Sequence, residues 1–213
     1  MPKINLNVHR SVFNDVYLPY LVDDTRTQIF YGGSSSGKSY FLAQRAVLDV
    51  AQGGRNYLIV RNVANTIKKS VFNEITKAIT FFKLSKYFNI NKSDMIITCA
   101  NGYQILFAGL DDTEKIKSIT PEKGVITDIW VEEATETEYT KMKQLNKRLR
   151  GRSKFKKRLM LSFNPILQSH WIHKEYFGNW DDSKREYKDE RLSILKTTRS
   201  EEHTSELQSH HDL

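Results

Sequence analysis

Apolar positions in this chain fall into two rhythms. Short continuous runs, TQIFY (27–31), NYLIV (56–60) and RLMLSF (158–163), read as strands buried on both faces. Other apolar residues recur at helical spacing. Ala43, Ala46, Val47 and Val50 form one such series, and Ile67, Val71, Ile75, Ala78, Ile79 and Phe82 trace a second helical face. Met142, Leu145 and Leu149 mark a third helix. MIITC and YQILFAGL, separated by Ala100-Asn101-Gly102, predict a hairpin. VITDIWVEEATE (125–136) adds a strand carrying Ile126, Ile129, Trp130 and Val131, with Glu132 and Glu133 at its end. Strands alternating with helices, without an internal repeat or long linker, predict one doubly wound α/β domain.

Composition narrows the class. A chain of 213 residues with 39% hydrophobic content can bury a substantial core. No apolar run is long enough to span a bilayer, and MPKINLNVHR lacks the apolar segment of a signal peptide. The single cysteine, Cys99, allows no internal disulfide, so a reducing cytoplasm is expected. A formal charge of +8 favours a polyanionic partner. RSEEHTSELQS, residues 199–209, looks like an accidental translation of a sequencing-library adapter. The expected organisation is therefore one domain over residues 1–198, with 199–213 a non-native, disordered tail.

YGGSSSGKSY (31–40) supplies the chemistry. Gly32, Gly37, Lys38 and Ser39 fit the phosphate-loop pattern G-x(4)-G-K-[ST]. The loop Gly32-Gly33-Ser34-Ser35-Ser36-Gly37-Lys38-Ser39 lies between a predicted strand and a predicted helix, a natural anion site. Its backbone N–H groups would cradle phosphates, Lys38 would add charge, and the Ser39 hydroxyl would ligate Mg²⁺. About ninety residues later, Glu132 and Glu133 end an apolar strand. The first would orient Mg²⁺ or its waters and the second would polarise an attacking water. Many P-loop ATPases carry Asp where this chain has Glu132.

Several weaker signals compete. NKSD (91–94) matches a guanine-reading element but precedes the acidic strand, so no such role is assigned. His170 and His173 form a loose H-x-x-H pair without a third ligand. KRLRGRSKFKKR (147–158) holds eight Lys or Arg and no acid. It is either a solvated loop or a contact for DNA phosphates or a neighbouring subunit's nucleotide. Phe13, Tyr17 and Tyr20 are read as core residues rather than an adenine frame.

YGGSSSGKSY, LIVRNVANTIKKSVFNEI, IWVEEATE and LMLSFNP, in that order, resemble the ATPase domain of tailed-bacteriophage terminase large subunits from about Phe13 to Thr198. The resemblance implies a RecA-like (ASCE-type) P-loop NTPase fold, a mainly parallel sheet flanked by helices, that hydrolyses Mg·ATP to move double-stranded DNA into a procapsid. It assigns Glu132 to metal positioning, Glu133 to water activation, and Ser162 and Asn164 to a motif coupling phosphate loss to DNA grip. It also implies a transition-state arginine, for which Arg61, Arg148, Arg150 and Arg152 are candidates. The implied partners are a homo-oligomeric ring, the portal protein and a small terminase subunit, in the cytoplasm of a bacterial host. Such proteins usually continue into an RNase H-like nuclease domain; none is recognised in this chain, and no nuclease activity is expected of it. Three other readings remain: another RecA-like nucleic-acid ATPase such as a helicase, a P-loop phosphotransferase acting on a small molecule, or a defective prophage remnant with an intact-looking site but no function.

Overall fold

The computed structural model describes residue 4 and residues 6–198, so the expected tail at 199–213 lies outside the described residues. The chain runs β1 (Thr27–Gly32), α1 (Lys38–Gln52), β2 (Tyr57–Arg61), α2 (Ala64–Ile67), α3 (Val71–Phe81), β3 (Phe88–Asn91), β4 (Ile96–Cys99), β5 (Gln104–Gly109) and α4 (Thr113–Ser118). It continues through β6 (Asp128–Glu132), α5 (Tyr139–Asn146), β7 (Arg158–Phe163), α6 (Trp171–Tyr176), β8 (Glu186–Lys188) and β9 (Leu192–Thr197). The strands form one sheet in the order β3-β4-β5-β2-β6-β7-β1-β9-β8. From β5 to β9 all neighbours are parallel, while β3, β4 and β8 add antiparallel edges.

Both faces of the parallel strands are covered, which explains their continuous apolar runs. Phe30, Ile59, Trp130 and Met160 point into one core, which also receives Phe41 and Val47 of α1 and Ile75 and Ile79 of α3. Their strand neighbours Ile29, Leu58, Val131 and Leu161 point into the other, with Leu145 of α5 and Ile172 of α6. The two-residue period of a strand thus divides one apolar run between two helical layers.

Two differences from the sequence reading have local causes. The helical face from Ile67 to Phe82 is broken at Ser70, whose backbone (φ −110°, ψ −106°) is not helical and whose hydroxyl donates to the Thr66 carbonyl at 2.7 Å. Leu149 is buried, but from a turn beyond the end of α5. NKSD is the β3–β4 hairpin turn, held by the Asn91 side-chain oxygen accepting from the backbone N–H groups of Ser93 and Asp94.

Arg158, the last residue of the basic run, is not on the surface. It is 2% exposed and pairs with Asp128 of β6 and Asp49 of α1, and it donates to the Tyr57 hydroxyl at 2.8 Å. Arg55 joins Asp128 at 3.1 Å. This buried ionic cluster clamps the end of α1 to the N-terminal ends of the strands, opposite the phosphate loop.

Candidate nucleotide site

In parallel α/β sheets ligands collect at the C-terminal strand ends. Here those ends bring together the sequence-identified loop and acids. The loop leaves β1 at Gly32 and enters α1 at Lys38. Gly37 holds φ 80°, a conformation costly for residues with a Cβ, and so turns the backbone directly into the helix. β7 lies between β1 and β6, with Ser162 in register with Phe30 on one side and Glu132 on the other.

A pocket of about 150 Å³ opens at this point, lined by Ser34, Ser35, Lys38, Ser39, Glu132, Glu133, Ser162, Phe163 and Asn164. Below the roughly 300–1,000 Å³ of whole-ligand pockets, it suits the end of a phosphate chain rather than a complete nucleotide. Lys38 is 7% exposed and donates to the carbonyls of Gly32 (3.0 Å) and Gly33 (2.8 Å) and to the Ser36 hydroxyl (3.0 Å). Burial lowers its pKa below the ordinary lysine range, while Glu132 and Glu133 oppose that shift. Ser36 faces the interior: it bonds Thr197 of β9, and its carbonyl accepts the Tyr17 hydroxyl at 2.6 Å.

The two glutamates have different surroundings. Both oxygens of Glu132 are engaged, Oε1 by the Ser39 hydroxyl at 2.6 Å and Oε2 by the Ser162 hydroxyl. Burial nonetheless raises its pKa above the usual carboxylate range, against those two hydrogen bonds. Ser162 in turn accepts the Trp130 indole N–H at 2.8 Å. Glu133 lies in the left-handed region, φ 51° and ψ 52°, just past the end of β6. The strand therefore stops abruptly, and the second carboxylate sits at the pocket with no hydrogen-bond partner among the described residues.

The arginine candidates separate by position. Arg61 ends β2 beside the acidic strand, 3.7 Å from Glu136, and helps hold the Glu132 pKa down. Arg148 donates to the Lys117 carbonyl at 2.9 Å and to that of Ile119. Arg150 and Arg152 are exposed on the loop leading into β7, so the length of that strand, about 20 Å, separates them from their own pocket. Phe13, Tyr17 and Tyr20 are core residues, with Tyr17 stacked on Phe41 at 4.6 Å. His170 caps α6 and His173 stacks on Phe177. Thr197 and Trp130 touch the site from behind; Trp130 reads in sequence as part of an apolar strand, and Thr197 lies on a strand the sequence reading did not identify.

A parallel sheet with a phosphate loop on one strand, paired acids on another and a polar strand tip between them defines a RecA-like P-loop domain. A sequence model of the phage terminase large subunit family matches residues 24–206, and the chain belongs to that family. It is 31% identical over 160 residues to the PBSX phage terminase large subunit of Bacillus subtilis (strain 168), covering 75% of this chain and 35% of that one. It is 32% identical over 132 residues to the terminase large subunit of Bacillus phage SPP1, covering 62% and 29%. The chain thus spans about a third of the length of these curated relatives. The large terminase of a thermophilic bacteriophage superposes with a TM-score of 0.69 at 16% identity, over 89% of this chain and 47% of that one. A complex of that thermophilic phage protein with ATP-gamma-S gives 0.65 at 18%, over 89% and 46%. The Thermus phage P74-26 large terminase ATPase domain gives 0.64 at 12%, over 89% and 80%.

Proposed function

We propose that this domain binds and hydrolyses Mg·ATP and uses the cycle to drive double-stranded DNA into a viral procapsid. The observation that carries the reading is one pocket shared by Lys38 and Ser39 of the phosphate loop, Glu132 and Glu133 at the end of β6, and Asn164 beyond β7. Membership of the terminase family supplies the DNA and the procapsid.

Each residue has a role that fits its surroundings. Lys38 would exchange its loop carbonyls for phosphate oxygens and stabilise charge on the transferred phosphoryl group. Glu133, unpartnered among the described residues, would orient the attacking water and accept its proton. Ser39 and Glu132 would hold Mg²⁺, which supplies neutralisation of phosphate charge when bound. The fit is chemical: both offer hard oxygen donors, and because Ser39 directs its proton at Glu132, its lone pairs are left for a cation. Ser162 and Asn164, at the strand tip, would register loss of the γ-phosphate.

Arg61, at the end of β2 and close enough to Glu132 to affect its charge, would act within its own subunit. Arg150, Arg152 and Lys154, exposed on the loop before β7, would serve something outside the subunit. A single transition-state arginine needs one side chain, whereas this loop presents Lys147, Arg150, Arg152 and Lys154 as exposed cations. Such a row fits a long polyanion, and we assign it to duplex DNA phosphates; contact with a neighbouring nucleotide is the second reading, favoured by the exposure of Arg150 and Arg152. A homo-oligomeric ring on a portal protein, assisted by a small terminase subunit in the host cytoplasm, is the setting this function requires.

The deciding experiment measures ATP turnover with and without duplex DNA. DNA-stimulated hydrolysis is expected, and neutralising Arg150, Arg152 and Lys154 should weaken DNA binding and flatten its salt dependence. Phosphate transfer to a small acceptor, indifferent to DNA, would instead establish a phosphotransferase; strand separation would point to a helicase.

A further inference from the structure

Behind the pocket runs a hydrogen-bond chain whose direction is chemically determined. Trp130 Nε1 donates to Ser162 Oγ at 2.8 Å, Ser162 donates to Glu132 Oε2, and Ser39 donates to Glu132 Oε1 at 2.6 Å. An indole N–H can only donate. It occupies a lone pair of Ser162, so the hydroxyl proton is left for the carboxylate. An ionised Glu132 can only accept, so both neighbours impose the same polarity on Ser162, and without the indole the hydroxyl would keep one anchor instead of two. The chain joins three elements: Trp130 and Glu132 lie on β6, Ser162 on β7 and Ser39 on α1.

Trp130 is also wholly buried, as is Ser162 at 2% exposure. Filling the core does not by itself demand an indole. A phenylalanine would supply a flat apolar ring in the same core, opposite the cross-strand partners Ile59 and Met160. What phenylalanine lacks is the N–H.

We infer that Trp130 is a positioning residue for ATP hydrolysis: its indole N–H anchors the Ser162 hydroxyl where it donates to Glu132 and thereby holds Glu132 against Ser39. This rests on the proposed ATPase reading. Trp130 touches neither nucleotide nor water; it acts through Ser162. The consequence is a side chain of the core that governs the metal-side carboxylate, linking the strand carrying the acids to the strand between them and the phosphate loop.

The test compares wild type, Trp130→Phe, Ser162→Ala and the double variant. For Trp130→Phe, kcat should fall about ten-fold and the Mg²⁺ concentration for half-maximal rate should rise, with KM for ATP within about two-fold because Lys38 is untouched. The double variant should be no slower than Ser162→Ala alone, as expected for residues acting as a unit. Ser162→Thr, which keeps the hydroxyl, should recover most of the rate. Multiplying effects in the double variant, or a wild-type kcat in Trp130→Phe, would overturn the inference. A second readout does not require Trp130→Phe to fold. The Trp130 indole N–H resonance in ¹⁵N-labelled protein should move in Ser162→Ala, and should shift on Mg·nucleotide binding in wild type but not in Ser162→Ala. An indole resonance unmoved by Ser162→Ala would refute the link. If wild type shows no more turnover than Glu133→Gln, the ATPase reading fails by itself, and the resonance still decides the Trp130 link.

Discussion

The hydroxyls of Ser36 and Thr197 lie 2.7 Å apart, joining the phosphate loop to the tip of β9 across 161 positions of sequence. Lys38 donates to the same Ser36 oxygen, and Thr197 also donates to the Tyr31 carbonyl at 3.3 Å. The loop therefore has a structural wall on the side away from the acids. Gly32 runs closest to that wall.

A Cβ on Gly32 would fall 2.0 Å from the Thr197 carbonyl oxygen, well inside contact distance. Gly32→Ala should cost about 1–3 kcal/mol of stability, as overpacking does, and weaken nucleotide binding together with it. Denaturant titration and calorimetry on the same sample check both. Unchanged nucleotide affinity in a destabilised variant would separate the wall from the site.

Glu133 combines the carboxylate proposed to orient water with an unfavourable backbone. Glu133→Gln should keep nucleotide binding and lose hydrolysis by about a hundred-fold or more. Glu133→Gly should be equally inactive yet more stable, by about 0.5–1 kcal/mol, because glycine adopts φ 51° without penalty. Comparing melting temperatures of the two variants tests whether function holds this residue in a strained conformation. A Glu133→Gly protein less stable than Glu133→Gln would count against it.

Lys38→Ala should reduce ATP affinity by at least about a hundred-fold. Its stability should fall as well, since Gly32 and Gly33 lose a buried donor to their carbonyls. Isothermal titration decides the first point; wild-type affinity would remove the loop from the mechanism.

Asp23 provides a pH test remote from the nucleotide. Burial pushes its carboxyl up, but hydrogen bonds from Lys188, Thr25 and Ser193 prevail and hold it at about 2, below the ordinary 3.8. A depressed folded pKa gives stability that is present above the unfolded pKa and lost as pH falls toward the folded one. Asp23→Asn should therefore cost on the order of 2 kcal/mol at neutral pH. The gap to wild type should be constant above about pH 5 and shrink between about pH 4 and 2. Urea unfolding at several pH values measures it, and a gap that persists undiminished at about pH 3 would contradict the charge-based account.

The parts legible in sequence were those encoded by neighbouring residues. The phosphate loop is eight consecutive positions, and the paired acids follow their own strand directly. The parallel core announced itself through continuous apolar runs. What escaped depends on distant partners. Arg158 looked like one more surface cation because Asp49 and Asp128, which bury it, lie 109 and 30 positions away. Strands β3 and β8 have four and three residues, too few to establish a period on their own. Trp130 looked like core and is core; only the position of Ser162 on the adjacent strand gives its N–H a target.

The placement of β9 has a consequence for how the protein is made. A ribosome releases β1 and the phosphate loop early, yet β1 lacks its outer neighbour until Thr197 has emerged. Until then the nascent chain carries the phosphate loop beside an unpaired strand edge. The phosphate loop is thus among the first parts of this domain to be translated, and the strand that walls it is the last strand of the same sheet.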